Sequence, residues 1–260
     1  MEWHRRIGRL LPFALRVEGH RLLRVFEDWP GRHRLAEDKG RAGDFSFELA
    51  RGASPLERVP GALPRRLQQG KERNIALALK ALDGVLLRPG QIFSYHHLVG
   101  RPSRLRGFRP GLELRLGQES EGAGGGLCQV SNMLYQMAIQ ANLGIVERHR
   151  HGLDLFPDKA RSVPFGCGAT VFFNYRDLRF ENKLDQPVLI CLRLVDGALS
   201  GRVLCERDPG FRVKIVERDH RFFEEEGQRM RENRIWRLVE YADGRESEDL
   251  LTHNRCRVLY

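Results

Sequence analysis

Three consecutive glycines, Gly124-Gly125-Gly126, run straight into Leu127-Cys128-Gln129, and this junction constrains the chain more than any other stretch. Glycine has no Cβ, so such a run marks a turn where the backbone takes left-handed angles or closely approaches another group. The residues after the glycines have a helical pattern. Apolar residues fall at 127, 130, 134, 137, 138 and 141, the spacing of one buried face, and Asn142 and Gly144 end it. Cys128 lies off that stripe, on the face shared with Ser131, Asn132 and Tyr135.

A cysteine in the first turn of a helix meets the positive end of the helix dipole and unpaired N–H groups, both of which favour thiolate. The amides around Gly124, Gly125 and Gly126 are candidates to hold an oxyanion. Gln129 and Ser131, at the same helix end, are candidate binding residues. Downstream runs Ile145-Val-Glu-Arg-His-Arg-His151. If it is extended, Glu147, His149 and His151 share one face, while Arg148 and Arg150 point the other way, toward solvent. A histidine there would complete a Cys–His pair. Close helix packing accounts for a glycine run equally well, so the residues alone leave both readings open. Cys128, His149, His151 and Cys167 also form a possible metal set, but no paired-ligand spacing supports it, and neither metal nor cofactor is expected.

The 260 residues suffice for one sizeable domain or two small ones. Five cysteines, an odd number without a CxxC pair, argue against a disulfide framework. Cys191, Cys205 and Cys256 sit in apolar or strand-like runs and read as buried thiols. The net charge of +10 is carried mostly by scattered arginines. It suits anionic neighbours such as cell-wall polymers, phosphate-bearing precursors or an anionic membrane. No nucleic-acid-binding motif is present, and no nucleic-acid partner is expected.

An α+β chain is expected, in three parts. Residues 1–69 form a basic helical region, with a connector from Arg51 to Gly70, that docks on the main domain or makes peripheral contact with an anionic membrane. Residues 70–205 form a mixed helix and strand domain. Residues 206–260 form an antiparallel β extension, with Glu224–Glu232 a charged connector, helical if ordered. Strands are expected at Thr170–Tyr175, Leu178–Asn182, Pro187–Leu194, Leu199–Cys205, Phe211–Glu217, Ile235–Tyr241 and Cys256–Tyr260. No membrane span or export signal is visible, which points to a cytoplasmic location.

The residues also carry a resemblance. Gly124-Gly-Gly-Leu-Cys-Gln-Val-Ser-Asn-Met-Leu-Tyr135, Val146-Glu-Arg-His-Arg-His-Gly-Leu-Asp-Leu-Phe-Pro157 and Pro164-Phe-Gly-Cys-Gly-Ala-Thr-Val171 look like the VanW-like family, as do Arg88-Pro-Gly-Gln-Ile-Phe-Ser94 and Leu178-Arg-Phe-Glu-Asn182. That family takes its name from a vancomycin-resistance cluster. Some of its larger members are connected to L,D-transpeptidation of peptidoglycan through the domain's cysteine. The resemblance implies a role in the cell wall or in glycopeptide resistance, with Cys128 as nucleophile and His151 as general base. A peptidoglycan precursor or stem peptide would be the partner. Gly168 stands where broader members carry an aspartate, so Asp154 is the candidate orienter of the histidine. A non-catalytic accessory protein that binds cell-wall precursors is the alternative.

Overall fold

The computed structural model describes residues 18–19, 21–24, 34–57, 61, 63–115, 118–150, 153–154, 164–173 and 175–259, side chains at 114–119 and 153–154 excepted. The fold is α+β. Its main sheet is four-stranded and antiparallel, in the order β1 (Phe47–Pro55), β10 (Ala198–Cys205), β9 (Val188–Val195), β2 (Val85–Leu87). Asp196 and Gly197, both at positive φ, close the tight hairpin between β9 and β10. β9 is buried from Val188 to Leu192 without alternation, because both faces of the sheet are covered there.

Two helices pack on this sheet. α1 (Arg65–Leu82) presents Leu67, Ile75, Ala78, Leu79 and Leu82 inward at helical spacing and stops where Gly84 turns left-handed. α3 (Leu127–Gln140) crosses β1 and β10. There Gly52 and Gly201 leave a slot that Met133 and Met137 fill: a Cβ on Gly201 would lie 2.7 Å from Met137 Cε. A short helix, α2 (Tyr95–Val99), is capped by the Ser94 hydroxyl, which accepts from the His97 N–H.

Two smaller units flank the glycine turn. The hairpin of β4 (Gly111–Arg115) and β5 (Gln118–Gly122) leads into it. A three-stranded sheet, β3 (Ile92–Ser94), β8 (Arg179–Glu181) and β6 (Gly144–Glu147), sets Ser94, Arg179 and Glu147 in one row across its strands. The C-terminal part is a sheet of long strands, β11 (Phe211–Glu225), β12 (Gln228–Tyr241) and β13 (Glu246–Val258), with the two-residue β7 (Leu153–Asp154) parallel to the end of β13.

Several local expectations change. β1 and the first turn of α1 occupy the stretch expected as a connector. Glu224–Glu232 is the end of one strand, a two-residue turn and the start of another, with Glu226 and Gly227 both at positive φ. Where a strand was expected over Thr170–Tyr175, the described residues 170–173 and 175 carry one isolated bridge, Phe172 to Arg176. Of the N-terminal region, the described turn around 18–24 docks through arginines: Arg21 reaches the Phe173 carbonyl and Arg24 reaches Glu147. Leu22 and Leu23 face outward. Residues 1–17, 20 and 25–33 of the region expected to be helical lie outside the described residues. No described helix is long and apolar enough to cross a membrane.

Candidate functional site

The glycine turn is shaped by backbone packing. A Cβ on Gly125 would sit 2.2 Å from the Gly111 carbonyl carbon, and Gly126, at φ +96, would place one 2.7 Å from Lys71 Cγ. Asn74, buried on α1, ties the turn together by donating to the Arg109 and Gly125 carbonyls and accepting from the Arg109 N–H. Most of the turn's amides are spent internally. Gly124 N–H donates to Glu113 Oε1, Gly125 N–H to the Gly122 carbonyl, Leu127 N–H to Gly124 and Gln129 N–H to Gly126. The amides of Gly126 and Cys128 have no acceptor among the described residues.

Cys128 is the second residue of α3 and is half-buried. The Val171 N–H points at its sulfur and favours thiolate. Removal from water outweighs that bond, the Glu113 carboxylate adds to the effect, and the thiol is pushed up from its ordinary value. The helix terminus was expected to lower it; burial wins because a thiolate loses more hydration here than one amide restores. The hydroxyl of Tyr95, fully buried, lies within the electrostatic reach of both Cys128 and Asp177 and is raised well above its ordinary value, chiefly by burial.

The start of α3, the 145–150 segment and the glycine loop at 164–171 are joined by hydrogen bonds. Ser131 Oγ donates to the Ala169 carbonyl at 2.7 Å, Asn132 Oδ1 accepts from Ala169 N–H and Gln136 donates to the Cys167 carbonyl. The polar face of α3 is thus buried against that loop. Thr170 N–H donates to the His149 carbonyl, one residue before the amide that reaches Cys128. Gln129 turns away to bond Ser54 Oγ and the Pro55 carbonyl on β1. Arg148, expected in solvent, is half-buried: it donates to the Gly166 and Gly168 carbonyls and to Thr252, and lies over the Tyr135 ring. Arg150 is exposed, as expected. Cys167 is buried and its thiol is pushed up to about 12, mainly by burial.

His151 lies outside the described residues; Asp154 is described only as backbone, at the edge of the C-terminal sheet. Sequence reading missed a polar centre beside β6. Glu147 accepts from Arg24 through both oxygens, from the Asp177 N–H at 2.9 Å and from His149 Nε2 at 2.9 Å. Burial alone would raise this carboxyl, yet these donors bring it down to about 2. Behind it, buried Asp177 accepts from Ser94 Oγ, the His96 N–H and Arg179 Nε. The one available signal was the shared face of residues 147 and 149; the partners arrive from Arg24 and Asp177, distant in sequence. Among the described residues no group of three His, Cys, Asp or Glu side chains is arranged to hold a metal ion.

Residues 70–204 match the family model described as VanW like protein. The chain belongs to that family. It is 29% identical over 195 residues, 74% of its length, to vancomycin B-type resistance protein VanW of Enterococcus faecalis, of which it covers 71%. It is 36% identical over 134 residues, 50% of its length, to the uncharacterized protein YoaR of Bacillus subtilis, of which it covers 42%. No solved structure matches. The family match ends at the last strand of the main sheet, so Cys128, the polar centre and the 164–171 loop lie inside it, and the C-terminal sheet outside.

Proposed function

We propose that this VanW-like protein is a cysteine acyltransferase acting on the peptide stems of peptidoglycan, of the L,D-transpeptidase kind. Cys128 is the nucleophile. The observation that carries the reading is the pairing at the start of α3: a sulfur met by the Val171 N–H, beside two amides, of Gly126 and Cys128, that the described fold leaves uncommitted. Two free N–H groups next to a nucleophile are the donor set a tetrahedral oxyanion needs. The association of the Enterococcus faecalis relative with vancomycin resistance, carried over, supports a cell-wall substrate.

The raised thiol has a mechanistic consequence. At neutral pH Cys128 rests protonated, so a base must take its proton as substrate arrives. The 147–151 segment supplies the histidines, His149 and His151. The thiolate then attacks a peptide carbonyl, the amine leaves, and a second amine or water resolves the thioester.

A muropeptide carrying a tetrapeptide stem, incubated with the protein, tests this. Wild type should form a thioester on Cys128, visible by mass spectrometry, and release the terminal amino acid. Cys128→Ala should lower turnover at least about a thousandfold with the fold intact. Full turnover in that variant would overturn the reading. The burial of the thiol beside Glu113 favours a second reading, a non-catalytic protein that binds cell-wall precursors. Muropeptide binding that survives Cys128→Ala, with no turnover by wild type, would select it.

A further inference from the structure

We propose that Tyr95 is a positioning residue for the oxyanion site: its hydroxyl, held against the Leu127 carbonyl, strengthens the Cys128 N–H as a donor through the peptide that joins them. The inference rests on the acyltransfer reading above.

The Leu127–Cys128 peptide is trans, so its C=O and N–H point opposite ways across one plane. At one end the Tyr95 hydroxyl lies 3.5 Å from the Leu127 oxygen, in a buried contact. At the other, the N–H of Cys128, second residue of α3, has no acceptor among the described residues. A helix leaves its first amides unpaired, while a carbonyl in its first turn has two lone pairs and can take a side-chain donor beside the helix's own amide. Tyr95 is such a donor. Its hydroxyl is sealed from water, and the Leu127 oxygen is its one hydrogen-bond acceptor among the described residues.

The contact is long for an O–H···O bond, so it contributes little at rest. It gains when the Cys128 N–H donates to negative charge on a carbonyl under attack. That donation shifts electron density along the peptide toward the Leu127 oxygen, which becomes a better acceptor for Tyr95, and the two bonds reinforce one another. An interaction stronger in the transition state than in the resting enzyme lowers the barrier. The phenol is also kept protonated. Burial first, then the charges of Cys128 and Asp177, push it well above its ordinary value, so it remains a donor at any pH where the enzyme would work.

The same geometry gives buried Asp177 a purpose. Its carboxylate takes Ser94 Oγ, the His96 N–H at 3.0 Å and Arg179 Nε at 2.9 Å, while the Tyr95 N–H donates to the next carbonyl, Leu178, at 3.1 Å. The residues on both sides of Tyr95 are thus tied to one carboxylate. The Tyr95 ring meets the His96 ring edge-on at 5.6 Å. With its backbone and ring both held, the hydroxyl is aimed at the first turn of α3.

Tyr95→Phe removes the hydroxyl and keeps the buried ring, and urea unfolding checks that the variant folds. Three readouts on the full chain test the assignment. Labelling leucine with 13C at the carbonyl and cysteine with 15N leaves two peptides visible in an HNCO spectrum, Leu127–Cys128 and Leu204–Cys205. Tyr95→Phe should move the Leu127 carbon upfield and leave Leu204 in place. With the tetrapeptide muropeptide, kcat should fall about tenfold at unchanged KM, less than the loss of a whole oxyanion donor. Alkylation of Cys128 by iodoacetamide, which develops no oxyanion, should stay within about twofold of wild type. An unmoved Leu127 resonance, a wild-type kcat, or alkylation slowed as much as turnover would each overturn the assignment. If wild type turns nothing over, the acyltransfer reading falls, and the Leu127 resonance still decides whether Tyr95 holds that carbonyl.

Discussion

The main sheet and the C-terminal sheet position the same site by different physics. The main sheet is dry on both faces along β9, and where α3 crosses β1 and β10 it sets the helix by volume, with two glycines opposite two methionines. The C-terminal sheet alternates. Its outer face carries paired charges such as Arg218 with Glu248, while its inner face buries Arg231, Asn233 and Asn254. Those asparagines reach for the loop at 164–168: both donate to the Phe165 carbonyl, and Asn254 also donates to Asn233. Sulfur comes from the packed side and the Val171 amide from the hydrogen-bonded side. Apolar packing tolerates many shapes, whereas a hydrogen bond fixes direction. The C-terminal strands, though outside the family match, thus help hold the loop that touches Cys128.

Breaking the packed side should have the larger effect. Gly125→Ala forces a methyl into the backbone of Gly111, which cannot rotate away, and should cost about 3 kcal/mol, read as a fall in Tm or in the urea midpoint. If Gly125→Ala is neutral, the turn is looser than the contact implies.

Acid should act on the directional side. The folded Glu147 carboxyl, at about 2, lies below its ordinary value of 4.5, so the unfolded chain binds the proton more readily. Its contribution is complete above the ordinary value and fades as pH falls from about 5 toward 2, by at most about 3 kcal/mol. Urea unfolding at several pH values should show that slope, and Glu147→Gln should flatten it. An unchanged slope would mean the donors around Glu147 do not hold in solution.

Asn254→Ala should cost about 2 kcal/mol, since it leaves the buried Asn233 amide oxygen without its donor. It should also free the loop, so that Cys128 alkylates faster than in wild type. Loss of stability without faster alkylation would confine the C-terminal sheet to a purely structural role.

The α3 start, the buried cysteines at 191, 205 and 256, the strands β9 and β10 and the α+β class were all legible, because each depends on residues near one another in sequence; the burial of Cys167, set between glycines, was not. Glu224–Glu232 was not. Its charges are exposed through Arg229 and then buried at Arg231 and Glu232, and a charged run around a polar turn looks like a connector when read without its partners. Arg148 was misread for a related reason: alternation on a strand says which residues share a face, not which face is covered. Arg24 and Glu147 lie 123 residues apart, so no local pattern announces their pairing. The same holds for Asp177, whose buried carboxylate gathers donors from Ser94 and His96.

The seam between Gly111 and Gly125 has a mechanical consequence. Two backbones touching without side chains between them have no rotamers to yield. A displacement of the β4–β5 hairpin, by a substrate pressing on it for instance, is handed to the first turn of α3 undiminished. Glu113 rides on that hairpin and bonds the Gly124 amide, so the same movement shifts a negative charge relative to Cys128. The hairpin is a short lever with the glycine seam at its fulcrum.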